Sequence, residues 1–147
     1  MLGIDANVLV YAADSSEADK HVRCREIVAS ALDAGRAFIP AQALAEFVWV
    51  RTRKQRRSVE ETVEFADAWR SASQVASYDG RDIAAAIETT RRHLVVFWDA
   101  LIWAVCDRSG AAYLVTEDFQ DGQRLGSVTF LNPFNPANAA RLGLSRP

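Results

Sequence analysis

The sequence contains few cysteines, glycines and prolines, and it has no long hydrophobic run. Its two cysteines, Cys24 and Cys106, have no partner at the spacing of metal ligands. We therefore expect reduced structural thiols, and not a disulfide framework or a zinc site. Seven glycines and four prolines in 147 residues are too few for a collagen-like or linker-dominated chain.

The longest mostly apolar stretch, residues 94–106, is interrupted by Asp99 and is shorter than the ~20 residues that a membrane span needs. The segment Met1–Asp5 has no basic residue before its apolar residues and contains an acid, so we expect no secretory signal. The sequence thus predicts a cytoplasmic protein that does not contact a membrane.

What is present is typical of a folded globular domain: half of the residues are hydrophobic and 24% are charged. This length predicts one domain, spanning residues 1–147. The net charge is −2, so the protein as a whole does not attract nucleic acid. An anionic partner would have to be bound by a local group of cations.

Short apolar segments alternate with helical patterns, and no hairpin turn signals separate them. Ser58, followed by Glu61, predicts a capping box at the start of one helix. The alternation predicts an α/β fold with three layers, in which helices cover both faces of a parallel sheet of four to five short strands. The predicted strands lie near residues 2–4, 37–39, 74–76, 112–115 and 128–131, and the other predicted helices cover about 8–13, 19–34, 41–54, 80–92 and 98–108.

Four acids follow predicted strands or lie in apolar helices. Taken singly, Asp5 is explained as a turn former, Asp99 as an acid in a first helical turn, and Asp118 as an ordinary loop residue. Glu46 is harder to explain, because its neighbours one turn away on the helix are mostly apolar, and a carboxylate there is costly to ionise without a partner.

Together, four carboxylates at one end of a sheet would repel one another. No Lys or Arg is adjacent in sequence to Asp5, Glu46 or Asp99, so a divalent metal ion is the expected counter-charge. Oxygen ligands favour Mg²⁺ or Mn²⁺ over zinc. The two histidines, His21 and His93, lack metal-ligand spacing and are expected at the surface or in helix packing.

Four motifs follow one another along the chain: Asp5-Ala6-Asn7, Glu46, Trp98-Asp99-Ala100-Leu101-Ile102 and Thr116-Glu117-Asp118-Phe119-Gln120-Asp121-Gly122. Their order resembles that of the PIN-domain ribonucleases, and most closely that of the VapC-type toxins of bacterial toxin–antitoxin pairs. The resemblance implies a PIN-like α/β/α sandwich and an endoribonuclease dependent on Mg²⁺ or Mn²⁺. It also implies an RNA substrate, a cognate antitoxin protein and a homodimer.

The resemblance also implies roles for individual residues. Asn7 and Thr116 are expected to orient carboxylates or metal-bound water. Asp121 is either a further ligand through water or a loop cap. Glu46 is expected to bind the metal or to orient water. The implied catalytic cluster is Asp5, Glu46, Asp99 and Asp118, with Asp5, Asp99 and Asp118 as metal ligands.

Five basic residues lie directly after the helix of Glu46. This run is interpreted as a solvated helix end, a clamp for RNA phosphates or an antitoxin contact. The tryptophans are candidates for base stacking, but their apolar helical faces favour the core or a dimer interface. The basic residues are Arg51, Arg53, Lys54, Arg56 and Arg57, and the tryptophans are Trp49, Trp69, Trp98 and Trp103.

Two other function classes compete with this interpretation. A receiver domain or aspartyl phosphatase would use Asp5 as the phosphorylated group, but neither Lys20 nor Lys54 follows a predicted strand to support that chemistry. A non-catalytic PIN-like module would bind RNA or a protein, yet four unneutralised carboxylates gain nothing in binding an anion. Binding of Mn²⁺ or Mg²⁺ would separate an enzyme from such a module.

Overall fold

The computed structural model describes residues 1–144, in which a six-stranded sheet is flanked by helices. Within this range, no helix has both the length and the apolar character needed to cross a membrane. The strands are β1 Leu2–Ile4, β2 Ala37–Pro40, β3 Gln74–Ala76, β4 Tyr113–Val115, β5 Arg124–Leu125 and β6 Val128–Leu131. The α-helices are α1 Ala6–Ala13, α2 Ala18–Asp33, α3 Ala41–Trp49, α4 Val59–Ala72, α5 Gly80–His93, α6 Phe97–Arg108 and α7 Ala139–Leu142.

The strand order of the sheet creates a natural site between β1 and β4. The order is β3-β2-β1-β4-β6-β5, and all pairs are parallel except β5 with β6. The chain winds outward from β1 to β3 and then returns to the other side of β1 as β4. Sheets of this kind bind ligands outside the carboxyl ends of the strands, where the winding reverses. Asp5 and Thr116 are the residues that follow β1 and β4 there.

Strand β1 lies in the interior, with close packing on both faces. A Cβ atom added at Gly3 would lie 2.8 Å from the Cys106 Sγ of α6, so a larger residue does not fit there. Because side chains alternate along a strand, Leu2 and Ile4 point to the opposite face, and both are fully buried. These contacts confirm the predicted α/β class with a buried, mostly parallel sheet.

Apart from the helix over 41–54, the predicted strands and long helices are found within one or two residues of their expected bounds, but three short elements were missed. Strand β5 makes the sheet six-stranded and adds an antiparallel edge, where four to five parallel strands were expected. A 3₁₀ turn over Pro136–Asn138 and helix α7 follow β6, where the sequence pattern predicts no element. Such short elements contain too few residues to show a hydrophobic period, so the sequence pattern could not reveal them.

The predicted helix over 41–54 ends differently from expectation, as a π-helical turn over Val50–Lys54 that continues α3. This turn directs Arg51 into the interior, where its Nη2 lies 2.7 Å from Glu61 Oε1. The Ser58 hydroxyl accepts a hydrogen bond from the Glu61 N–H (3.1 Å), as a capping box requires. The Glu61 carboxylate, however, pairs with Arg51, so only half of the predicted capping box forms.

Candidate active site

Asp5 is held at the carboxyl end of β1 by two hydrogen bonds. Its Oδ1 accepts from the Ala6 N–H (2.6 Å), and this bond caps helix α1. Its Oδ2 accepts from the Thr116 hydroxyl (2.8 Å). Asp5 is only 6% exposed, so its carboxylate is fixed in place and largely removed from water.

Thr116 and Asn7 connect this carboxylate to the loop after β4. The Thr116 hydroxyl also accepts a hydrogen bond from the Asp118 N–H (3.0 Å). The Asn7 amide donates from Nδ2 to Asp118 Oδ2 (2.9 Å). Both residues therefore make the kind of contact that their predicted orienting role requires, and Asp118 lies beside Asp5.

Glu46 is positioned by Gln42, which lies one turn earlier on α3. Gln42 Nε2 donates to Glu46 Oε1 (2.5 Å) and to the Trp98 carbonyl oxygen (3.2 Å). Trp98 precedes Asp99, so this buried amide ties Glu46 to the first turn of α6. Sequence reasoning missed Gln42 as a site residue. The available signal was a polar residue four positions before Glu46 on an otherwise apolar helix face.

The carboxylates of the cluster affect one another. Burial raises the pKa of Asp5 to about 7; the Thr116 hydrogen bond opposes this shift, and the charges of Asp118 and Asp99 add to it. Burial also raises the pKa of Asp99 to about 6, with further contributions from Asp118 and Glu46. The structure thus brings all four predicted acids into one electrostatic neighbourhood.

The donor set fits a hard divalent cation, although the side chains are not already gathered around one. Within residues 1–144, no three His, Cys, Asp or Glu side chains form a group arranged to hold a metal ion. Instead, Glu46 accepts a hydrogen bond from Gln42, and Asp118 accepts one from Asn7. All donors are oxygen atoms, and the raised pKa values of Asp5 and Asp99 show that positive charge would stabilise the cluster.

Asp121 belongs to a different set of contacts. Its carboxylate accepts hydrogen bonds from the Asn132 N–H (2.7 Å) and from the side chains of Asn135 (2.6 Å) and Asn138 (2.7 Å). These bonds, led by that of Asn132, hold the pKa of Asp121 below its usual value. They favour the loop-anchoring alternative over a ligand that acts through water.

The basic run divides into one buried residue and four at the surface. Arg51 is 0% exposed and donates to Gln55 Oε1 (3.0 Å) as well as to Glu61. Its guanidinium cannot reach RNA from this position, which corrects its place in the predicted RNA-binding set. The surface residues are Arg53, Lys54, Arg56 and Arg57, of which Arg57 lies 3.6 Å from Asp14.

A cleft of about 740 Å³ opens beside Glu46. The tryptophans differ in their relation to it. Trp69 and Trp103 are each 7% exposed and belong to the core, as the apolar faces predicted. Trp49 and Trp98 are 54% and 57% exposed, and both line the cleft.

Comparison with known proteins bears on the family and the fold of this chain. Residues 3–121 match the model of the PIN domain family. The structure resembles that of Mycobacterium tuberculosis VapC20, a toxin described as cleaving the sarcin–ricin loop, with a TM-score of 0.65. The two chains are 18% identical, and the likeness, which concerns the fold, covers 78% of this chain and 87% of VapC20. No curated protein matches the sequence.

Proposed function

Because this chain belongs to the PIN domain family, we propose that it is a metal-dependent endoribonuclease of the VapC type, the toxin of a toxin–antitoxin pair. One observation carries the proposal: Thr116 links Asp5 and Asp118 where the sheet reverses its winding, and the charge of Asp99 acts on Asp5 there. Burial and mutual repulsion raise the pKa of two of them, Asp5 and Asp99, as expected for a site that is completed by a cation.

In this proposal Asp5, Asp99 and Asp118 hold Mg²⁺ or Mn²⁺. Such an ion, when bound, lowers the pKa of a water ligand and neutralises charge on the phosphodiester. Thr116 and the Ala6 N–H fix the two oxygens of Asp5, so its remaining lone pairs face a constant direction. Glu46, which Gln42 holds at the wall of the cleft, would accept a proton from the attacking water.

The exposed basic residues Arg53, Lys54, Arg56 and Arg57 are proposed to hold the RNA backbone. Phosphate contacts of this kind position a strand without reading its sequence. They also supply locally the attraction that a protein of net charge −2 lacks as a whole.

We further propose that the protein is one domain over residues 1–147, located in the cytoplasm and bound by a cognate antitoxin. An arginine of the antitoxin inserted among the carboxylates would form charge-assisted hydrogen bonds. A homodimer is supported by exposed apolar side chains on and after α5, among them Ile87 (56% exposed) and Leu94 (94% exposed).

Cleavage of a labelled single-stranded RNA in Mg²⁺ tests the enzymatic proposal. The variants Asp5→Asn and Asp99→Asn should each lower the rate by about 10² or more, and excess EDTA should stop the reaction. The matched control is Asp67→Asn, which changes an exposed acid of α4 that pairs with Arg70 of the same helix. Cleavage that persists in EDTA, or at the wild-type rate in either cluster variant, would reject the proposal.

One observation favours the alternative of a non-catalytic module that binds RNA or a protein. Within residues 1–144 the acids are not arranged as a metal-binding group. Titration calorimetry with Mn²⁺ distinguishes the two functions, because the enzyme should show a saturable heat of binding that Asp5→Asn abolishes. RNA binding without Mn²⁺ binding or cleavage would establish the module.

A further inference from the structure

Two exposed tryptophans border the acidic cluster. Trp49 lies one helical turn after Glu46, and Trp98 directly precedes Asp99. More than half of each side chain is exposed, while the other two tryptophans are buried. An exposed apolar surface of this kind in a folded protein commonly marks a place where something binds.

Both indoles line the cleft beside Glu46. Its volume of about 740 Å³ lies within the ~300–1,000 Å³ of typical ligand pockets, so a planar ring system fits. Asn7 and Glu46 also line it, and Asn7 donates to Asp118. The cleft is therefore continuous with the acidic cluster.

The cleft also carries positive charge at the wall formed by Trp49. Lys54 lines it, with Nζ 5.2 Å from the centre of the Trp49 ring. Arg53, the preceding residue, is exposed. Aromatic rings beside cations are the combination that binds single-stranded nucleic acid, because a ring stacks on a base while the cation contacts a phosphate.

The position of Trp98 is restrained by contacts with two neighbouring residues. Gln42 donates to the Trp98 carbonyl oxygen and is only 8% exposed, so the backbone that carries this indole is tied to α3. The Trp98 ring also packs edge-on against Phe97, with ring centres 5.4 Å apart. An indole that is already restrained loses less entropy when a base stacks on it.

We propose that Trp49 and Trp98 form a stacking site that holds an unpaired nucleobase of the RNA next to the acidic cluster. This inference rests on the proposed function, since it states how the same site takes its substrate. A base inside a duplex is not available to these rings, so the site favours single strands and loops. Stacking accepts every base, so the site positions the strand without selecting its sequence.

Binding of a short single-stranded RNA, followed by fluorescence anisotropy in EDTA, tests the inference. Trp49→Ala and Trp98→Ala should each weaken binding at least about fivefold, whereas Trp98→Phe should retain most of the affinity. The matched control is Tyr78→Ala, since Tyr78 is 47% exposed and does not line the cleft. The salt dependence should not change, because these variants remove no phosphate contact.

Tryptophan emission provides a second readout. RNA should quench the emission of the wild-type protein but not that of the Trp49→Phe, Trp98→Phe double variant, in which only the two buried tryptophans remain. An RNA backbone of the same length with abasic positions keeps its phosphates and loses its rings. This abasic RNA should quench the tryptophan emission of neither protein and should bind both with equal affinity.

Equal RNA affinity of the wild type, Trp49→Ala and Trp98→Ala would overturn the stacking site, and RNA cleavage by the same preparation would leave the proposed function standing. Base-dependent quenching by a protein that cleaves no RNA would support the stacking site and reject the proposed function. If Trp98→Ala converts a dimer into a monomer in sedimentation without changing RNA affinity, a second copy covers the cleft and the inference is wrong.

Discussion

At the scale of single residues, the site is dominated by carboxylates that are costly to ionise. Asp5 is almost completely buried, and Asp99 is half-buried with no hydrogen-bond partner among the described residues. Each faces other acids, so the charged form of the cluster destabilises the folded protein when no cation is bound.

The variant Asp99→Asn should therefore stabilise the metal-free protein at neutral pH. The pKa of Asp99 is raised from 3.8 to about 6, so the folded protein holds this proton more tightly than the unfolded chain does. The stability that this proton adds to the wild-type fold is present below pH 4 and is lost as the pH rises through 6. After allowance for solvent screening, we expect a gain of about 1 kcal/mol at pH 7.5.

Urea unfolding in EDTA at pH 7.5 and at pH 4 measures this difference. The gain should be much smaller at pH 4, where the carboxyl is protonated in the folded protein and partly protonated in the unfolded chain. A variant that is less stable than the wild type at pH 7.5 would contradict the repulsion that we assign to the cluster.

Thr116 is predicted to set the pH dependence of the reaction. Its hydroxyl bond to Asp5 opposes the rise in the pKa of that carboxyl, so Thr116→Val should raise this pKa above about 7. When the rate is measured at subsaturating Mg²⁺, the proton competes with the metal ion for Asp5, so the acid limb of the pH–rate profile should move up by about one pH unit. Thr89→Val changes a buried threonine of α5 and is the control. An acid limb that is identical in both variants would exclude this role for Thr116.

At the scale of elements, the π-helical turn after α3 separates a structural arginine from surface ones. The Oε1 of Gln55 accepts a hydrogen bond from the Arg51 guanidinium, and the Nε2 of Gln55 donates one to Asp14 Oδ2 (2.7 Å). The buried arginine thus links the end of α3 to α4 and to the residue after α1.

Arg51→Ala should destabilise the protein by about 2–4 kcal/mol, because it leaves a cavity and removes the links to Glu61 and Gln55. Arg51→Met fills the volume and should recover much of this loss. Arg53→Ala, an exposed change two residues away, should stay within about 0.5 kcal/mol of the wild type. Chemical denaturation provides all three values, and equal stability of the two alanine variants would refute the structural role.

The exposed basic residues in and directly after the same turn should control the salt dependence of RNA binding. Replacing Arg53, Lys54 and Arg56 by Gln should reduce the slope of log affinity against log salt by up to about 2, since a single strand releases about 0.7 counterion per phosphate contact. The cleavage site should not move. A triple Gln variant of Arg70, Arg91 and Arg92 loses the same charge elsewhere and is the control. An equal reduction in both triple variants would show a general charge effect and no local clamp.

At the scale of the whole molecule, metal binding should couple to folding. An ion that binds only the folded state at 100 times its dissociation constant stabilises it by about 2.7 kcal/mol. Addition of Mg²⁺ should therefore raise the melting temperature of the wild type and leave that of Asp5→Asn nearly unchanged. Differential scanning calorimetry should also show one transition if residues 1–147 are one domain. Two separate transitions, or an equal shift in both proteins, would contradict these expectations.

Local patterns in the sequence determined most of the fold and the identity of the acids. The apolar composition of segments such as Leu2–Ile4 and Phe97–Arg108 indicates directly that they are buried. Asp5 and Asp118 follow strands, so the rule for parallel sheets predicts from the sequence that both lie at one edge of the sheet.

The tertiary structure alone decided how two residues of the same type, close together in the sequence, differ in burial and in hydrogen-bond partners. Arg51 and Arg53 are equivalent in the sequence, but the π-helical turn buries the first and exposes the second. Asp118 and Asp121 lie in one loop, yet Asn7 holds the first and Asn132 the second. Hydrogen bonds between residues more than a hundred positions apart, such as Thr116 to Asp5, depend on distances that no local pattern encodes, because packing sets them only once the strands are paired.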